Sequence, residues 1–549
     1  MISVMASLFL VALDQTIIAT ALGKIVEEFN AFSALSWIVT AYLITTTITV
    51  PIAGKLSDLF GRRLILLIGV AIFVGASLMS GLSGNVTELV LWRAVQGIGG
   101  GIITANAFTI VGDLFAARER GRWQGLIGAV FGLASVVGPL LGGWLTDGHA
   151  FFNLTTDWRW TFYINVPIGI VAFILIAIYA PALKHAAKVK IDYWGAALLS
   201  VSLAMLILAV DNTDMIFADL LSATGLSLVG LRIIMFSIVA LATAGFIYAE
   251  HKASAPILPL KFFKNRNYVT VLIIATLFGA AFMGSILYLT QFNQQVFGAS
   301  PTTSGLMLLP MVGGIMFSSI LSGQLIAKTG RYKIFMQIGF LVATAAMIAM
   351  TFLSPEMPYA YEAVVMIALG LGMGVAMPVL NLAIQNEVEQ KDLGVATSSS
   401  QLFRSLGSTI GTAAFGAMLT AGILTQVPAM RDTAYVQSLA ENSQVSRLGS
   451  LNDPNTLLTL NMPDIKKEIN TASEAQFAQL PEAMRVEVTK TFQTNQQEFS
   501  DKVTHAFSDS LHKIFVVASS LIGMAAVLVF TLKEKKLQSA KPETTPGEL

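Results

Sequence analysis

Runs of about twenty apolar residues, broken by polar stretches, recur along the whole chain. They fall near residues 2–23, 33–53, 64–82, 86–112, 123–146, 160–181, 192–211 and 227–249, and again near 269–292, 302–328, 334–353, 359–385, 395–423 and 510–532. A helix needs about 20 mostly apolar residues to cross a bilayer. The pattern therefore predicts an all-α polytopic membrane protein with fourteen transmembrane helices. The first run, MISVMASLFLVALDQTIIATALG, has neither a basic leader nor a small-residue cleavage site, so it reads as a retained first membrane helix. That reading leaves room for a cytosolic leader ahead of it.

The polar breaks alternate in charge. One set carries Lys55, Arg62 and Arg63; Arg118, Arg120 and Arg122; Lys184, Lys188 and Lys190; Lys252, Lys261, Lys264 and Arg266; Lys328, Arg331 and Lys333; and Lys533, Lys535 and Lys536. The short breaks on the other side hold little beyond Lys24 and Arg159. Basic loops stay in the cytosol, which predicts cytosolic termini and agrees with an even number of helices. The expected location is the cytoplasmic (inner) membrane of a bacterium. Residues 425–508 form one long outer connection, too polar to cross; Pro481 followed by a charged run predicts a helix that feeds the last span, as a hairpin or an extension. The tail after Lys536 reads as disordered.

Composition narrows the function classes. Of 549 residues, 54% are apolar and 12% charged, with mean hydropathy +0.70; soluble domains carry about 25% charged residues. A net charge of +1 from 34 basic and 33 acidic residues offers no field for nucleic acid. With no cysteine, disulfides and thiolate metal sites are excluded. His505, Asp509 and His512 share a helical face but read as an exposed polar stripe rather than a metal site. No GxxxxGK[ST] occurs, and no nucleophile–base pair stands out, so neither direct ATP drive nor an enzyme is expected. No cofactor is implied.

GKLSDLFGRRLIL (residues 54–66) has a worn copy in GQLIAKTGRYKIF (residues 323–335). Corresponding loops in two halves are the mark of a duplicated transporter. Eight helices lie between the copies, where a six-plus-six duplication would place six, so helices 7 and 8 read as an insertion. The expected organisation is a six-helix bundle over 1–181, two inserted helices over 182–266, a second bundle over 267–424 completed by helix 14 at 509–533, an outer loop at 425–508 and a tail at 534–549.

With these motifs the chain resembles the major facilitator superfamily, and within it the fourteen-helix drug:proton antiporters. LDQTIIATALGKI (13–25), GKLSDLFGRR (54–63), LWRAVQGIGGG (91–101), ASVVGPLLGGWL (134–145), WRWTFYINVPIG (158–169), GASPTTSGLMLLP (298–310) and SQLFRSLGSTIG (400–411) match that family's landmarks in order. Gly23 stands where the family usually has proline. The resemblance implies two six-helix bundles with two inserted helices, working by alternating access and driven by the proton gradient. It implies export of lipophilic, often cationic, compounds by a functional monomer.

Asp14 lies about 18 Å along helix 1 at 1.5 Å per residue, near the membrane midplane. An ionisable group there is a functional candidate by default, and it can take a proton on one side and release it on the other. Asp211 and Glu362 sit at helix ends and read as interfacial, with Glu362 a reserve proton site. Arg93 must face protein or water, and the resemblance makes it the partner that adjusts the proton site. Within the gating loop of Gly54, Asp58, Gly61, Arg62 and Arg63, the resemblance implies that Asp58 caps the start of helix 13, while the two arginines stay among lipid headgroups. In helix 5, Gly138, Gly142 and Gly143 allow close packing and Pro139 a bend, which suits a moving seam between the halves. Candidate cavity residues are Tyr42, Gln96, Asn106, Phe282, Tyr288, Gln291, Asn293, Asn381 and Arg404. A second reading gives the outer loop a cargo: export of a lipid, cell-envelope component or metabolite, handed to an unidentified partner.

Overall fold

The computed structural model describes the chain except residues 30–34, 147–149, 152–153, 181–191, 211–212, 300, 440–450, 452–453, 462, 479 and 538–549. Lys184, Lys188, Lys190, Asp211 and nearly all of the tail read as disordered lie outside the described residues. Membrane-length helices account for the architecture. In the first part they are α1 (Ile2–Phe29), α2 (Leu35–Phe60), α3 (Arg62–Gly81), α4 (Val86–Leu114), α5 (Ala117–Thr146) and α6 (Trp160–Tyr179). Then come α7 (Tyr193–Val210) and α8 (Leu228–Lys252), followed by α9 (Arg266–Gln295), α10 (Leu309–Thr329), α11 (Lys333–Met350), α12 (Tyr359–Gln385), α13 (Leu393–Leu424) and α14 (Glu482–Thr531). The apolar runs become helices because a backbone surrounded by lipid must satisfy its own hydrogen bonds.

Local chemistry sets several ends. The Asn85 side chain accepts the Glu88 N–H at the start of α4, and the Asn265 side chain accepts from Asn267 and Tyr268 at the start of α9. The two copies of the repeated loop share a backbone device: Gly61 has φ 95° and Gly330 φ 69°, a region that L side chains avoid. Between α5 and α6, Ala150–Phe151 pairs with Leu154–Thr155 in a two-residue antiparallel ladder.

Helices α1–α6 pack on one another as one half, and α9–α14 as the other. The pair α7–α8 leans on α2, where Ile207 and Leu208 meet Ile44, and on α13, where Leu199 and Leu203 meet Leu402. The outer connection is also folded. Short helices Val427–Arg431, Ala434–Leu439 and Pro454–Leu460, and the longer Pro463–Phe477, rest on the projecting part of the 50-residue helix α14. Tyr435 lies between Phe492 and Phe499, with ring centroids 5.4 and 5.3 Å away. Its core is continuous with that of the second half.

Candidate functional site

The deepest ionisable group of the first half is neutralised in place. Asp14 Oδ2 accepts from Arg93 Nη1 at 2.7 Å, and Oδ1 accepts from Gln96 Nε2 at 2.8 Å and Asn165 Nδ2 at 2.9 Å. Arg93 also donates to Gln96 Oε1 at 2.8 Å and lies over the Tyr42 ring, 4.3 Å from its centroid. Ser77 accepts from both amides and donates to the Phe162 carbonyl. Five helices thus supply one closed cluster, and Asp14 and Arg93 are each 1% exposed.

A carboxylate in low dielectric is stabilised by a charge-assisted partner and by N–H donors to its remaining lone pairs. Here three donors converge on Asp14, so its charge is matched and both carboxylate oxygens are bonded. The arrangement ties α1 to α4 through a buried ion pair. Gln96 and Tyr42, expected to line a cavity, belong to this cluster instead; both are buried. Asn165 and Ser77 were not singled out from the sequence, because an isolated Asn or Ser in an apolar run does not reveal which way it points.

The repeated loop holds a second charge cluster. Arg62 is 1% exposed, not at the headgroups. Its Nε donates to Asp113 Oδ2 at 2.7 Å and its Nη1 to Ser57 Oγ at 2.5 Å, and it forms an ion pair with Asp58. Two carboxylates offset part of the hydration that the buried guanidinium loses. Arg63 keeps a surface role, donating to the Ala177 carbonyl at the end of α6. Asp58 does reach the start of α13: a Cβ on Gly394 would lie 2.5 Å from its Oδ1. The expected cap bond is not made, however; Asp392 occupies the N-cap without a side-chain capping bond, and Arg62 takes the Asp58 carboxylate. Asp113, two residues from an apolar stretch of α4, was the acid the sequence reading missed.

The glycines also divide differently. Gly138 and Gly142 face Thr16, Ile17 and Thr20 of α1, inside their own half, and Gly143 is half-buried. Pro139 of that motif lies beside Gly305 of the other half. The seam on α5 is instead made by Gly121, Gly125, Gly128 and Gly132, against Gly323, Ser319 and Met316 on α10. Their spacing of four, three and four residues was a legible small-residue stripe. Gly54 packs in the same manner on Ser398 and Gly394 of α13. Gln124 donates to Gln385 at 3.1 Å, and Gln385 to the Phe108 carbonyl at 3.2 Å, so both halves are bridged at the end that carries the basic loops.

The remaining candidates lie apart from the Asp14 cluster. Asn106 donates to the Ile102 carbonyl of its own helix. Phe282 stacks on Phe278 at 5.4 Å, Tyr288 donates to the Thr412 carbonyl at 3.3 Å, and Gln291 is half-buried. Glu362, read as interfacial, is fully buried, as is Asn293; the start of α12 is roofed by other parts of the second half, so a position one turn into a helix is not at a surface. Arg404 donates to Gln401, which donates to Asn381 at 3.5 Å.

Comparison with known proteins follows the same lines. A family model described as the Major Facilitator Superfamily matches residues 4–412. The multidrug transporter protein MdtP of Bacillus subtilis (strain 168) is 35% identical over 546 residues, which cover 98% of this chain and 93% of that protein. Multidrug resistance protein 3 of the same organism is 35% identical over 410 residues, 74% of this chain and 77% of its own. A solved structure of a bacterial homologue of the human lysosomal transporter Spinster aligns over 97% of each chain with TM-score 0.53 at 15% identity, a likeness of fold.

Proposed function

The chain belongs to the major facilitator superfamily, and from that premise we propose that it is a proton-coupled antiporter. It exports lipophilic drugs and toxic compounds, cationic ones among them, across the cytoplasmic membrane of a bacterium. Similarity to named multidrug transporters supports the export of drugs. The observation that carries proton coupling is the Asp14–Arg93 pair, 1% exposed and held by Gln96 and Asn165.

The cycle follows from the charges. A proton on Asp14 removes its hold on Arg93, loosening α1 from α4. Loss of that proton restores the pair. The basic end, which this reading places in the cytosol with both termini, is sealed by the glycine seam and by Asp58 against α13. Opening that seam admits substrate from the cytosol, and closing it commits substrate to the outside. The gradient supplies the energy, with no resident cofactor and a single chain as the working unit.

The test uses proteoliposomes with an imposed pH gradient and ethidium as the transported cation. Wild type moves ethidium with the gradient and Asp14→Asn does not. Gradient-driven movement that persists in Asp14→Asn would place the coupling proton elsewhere.

A second reading is favoured by one observation: the outer segment holds a cleft of about 480 Å³ lined by Asn461, Lys466, Lys467, Asn470 and Ser500. Export of a lipid, envelope component or metabolite would use it, with an outer partner to receive the cargo. Deleting residues 427–478 would then stop that export while sparing ethidium efflux.

A further inference from the structure

Arg404 sits eleven residues into α13, about 17 Å from its start at 1.5 Å per residue, which is mid-bilayer. Ile410 marks the outward face of this helix, 44% exposed. At about 100° per residue, Arg404 points about 120° away from it. The direction is fixed from two sides. Gly407 and Gly411 press α13 onto Thr276 and Ala280 of α9, and Gly279 of α9 lies against the Arg404 carbonyl. On the other side Gln401 turns toward Asn381 of α12. The guanidinium therefore points between α9 and α12, the two helices that flank α13 on these sides.

Its bonding is incomplete. Nη2 donates to Gln401 Oε1. Among the described residues no carboxylate lies within 4.0 Å of it, and Nε and Nη1 have no protein acceptor yet are not sealed off by protein. The contrast with the other half is sharp: Arg93 is matched by Asp14, and Arg62 by Asp58 and Asp113. A mid-membrane cation is costly unless it is paired or hydrated, and a guanidinium presents a planar fork suited to a two-oxygen anion. The Gln401–Asn381 relay fixes that fork in orientation and uses only one of its edges.

We propose that Arg404, oriented by Gln401, is an anion subsite of the transport cavity, so that the substrates include lipophilic compounds bearing a carboxylate, sulfonate or phosphonate group. This rests on the reading that substrate reaches the region between α9, α12 and α13, and not on proton coupling. The anionic head docks on Nε and Nη1, while the apolar body lies against Phe282 and its neighbours on α9.

The experiment is equilibrium binding to purified full-length protein in nanodiscs, without any gradient, against empty nanodiscs. The probes are 1-anilinonaphthalene-8-sulfonate and N-phenyl-1-naphthylamine, its uncharged counterpart. A charge-assisted hydrogen bond corresponds to roughly 10–100-fold in affinity. Arg404→Gln should weaken sulfonate binding by that factor while N-phenyl-1-naphthylamine binds as in wild type, and Arg404→Lys should fall between. Three outcomes overturn the proposal: no sulfonate binding by wild type above the blank, equal sulfonate affinity in wild type and Arg404→Gln, or equal loss of both probes in both variants. Because no gradient is applied, failure here leaves proton-driven efflux to be judged by the ethidium experiment.

Discussion

Ser319 Oγ on α10 donates to the Gly125 carbonyl on α5 at 2.9 Å, at a point where α5 carries no side chain. That bond joins the two halves backbone to side chain. The repeat explains why it lies where it does. Gly323, one turn further along α10, is the counterpart of Gly54, and the two do the same work: Gly323 packs on Gly121 of α5 and Gly54 on Ser398 of α13. The duplicated motif thus supplies one close approach to each side of the seam.

Gly125→Leu should hold the seam open. A side chain there overlaps the Ser319 backbone, so the basic end cannot close without moving a helix. Since the chain has no cysteine, Leu393→Cys, buried where α13 meets Gly112, gives a clean reporter. Its maleimide labelling should accelerate at least tenfold in the Gly125→Leu background, with efflux lost. Unchanged labelling together with normal efflux would refute the seam.

Breaking the buried pair by Arg93→Ala should cost about 3–5 kcal/mol, because Asp14 is left charged without its counter-ion. The double variant Asp14→Asn/Arg93→Gln removes both charges and should recover most of that loss, without recovering proton-driven transport. Thermal unfolding of the purified proteins, read beside ethidium efflux, separates the two effects.

Arg62 serves Asp58, Asp113 and Ser57 at once. A lysine offers one compact ammonium in place of a planar fork, so Arg62→Lys should lower the efflux rate at least tenfold although charge is kept. Asp113→Asn should act in the same direction and more weakly, since Asp58 still pairs with the arginine. Initial efflux rates normalised to protein content decide this.

In the outer segment, burial holds the Lys466 ammonium below the usual lysine range, against a smaller opposing pull from Asp501. A depressed folded value means that protonation disfavours the folded form. The cost is present at neutral pH and fades as pH rises toward the ordinary lysine value of 10.5. Lys466→Met should therefore slow amide exchange in Pro463–Phe477 at pH 7, an effect kept to about 0–1 kcal/mol by the partly exposed side chain. The gain should shrink at pH 10, and hydrogen exchange at the two pH values measures it.

Much of this was legible along the chain. The fourteen membrane-length helices among the described residues follow from apolar runs, and the two glycine turns at Gly61 and Gly330 from the repeated motif. Asp14 and Arg93 could be picked out as deep charges, because few residue types are so costly in lipid. Their companions could not: Gln96 looked like a cavity wall, and Asn165 lies 151 positions from Asp14. The stripe from Gly121 to Gly132 was visible but overshadowed by the better-known motif that follows it, whose glycines turn to α1.

The sequence by itself determined the membrane-spanning helices, the duplication and the burial of Asp14 and Arg93, since hydropathy and spacing are local properties that act before helices meet. Only the tertiary structure decided partners. Rotation of each helix about its axis, set by packing against several neighbours, turned Asp113 to Arg62, left Arg404 without an acid among the described residues, and chose which glycines form the seam.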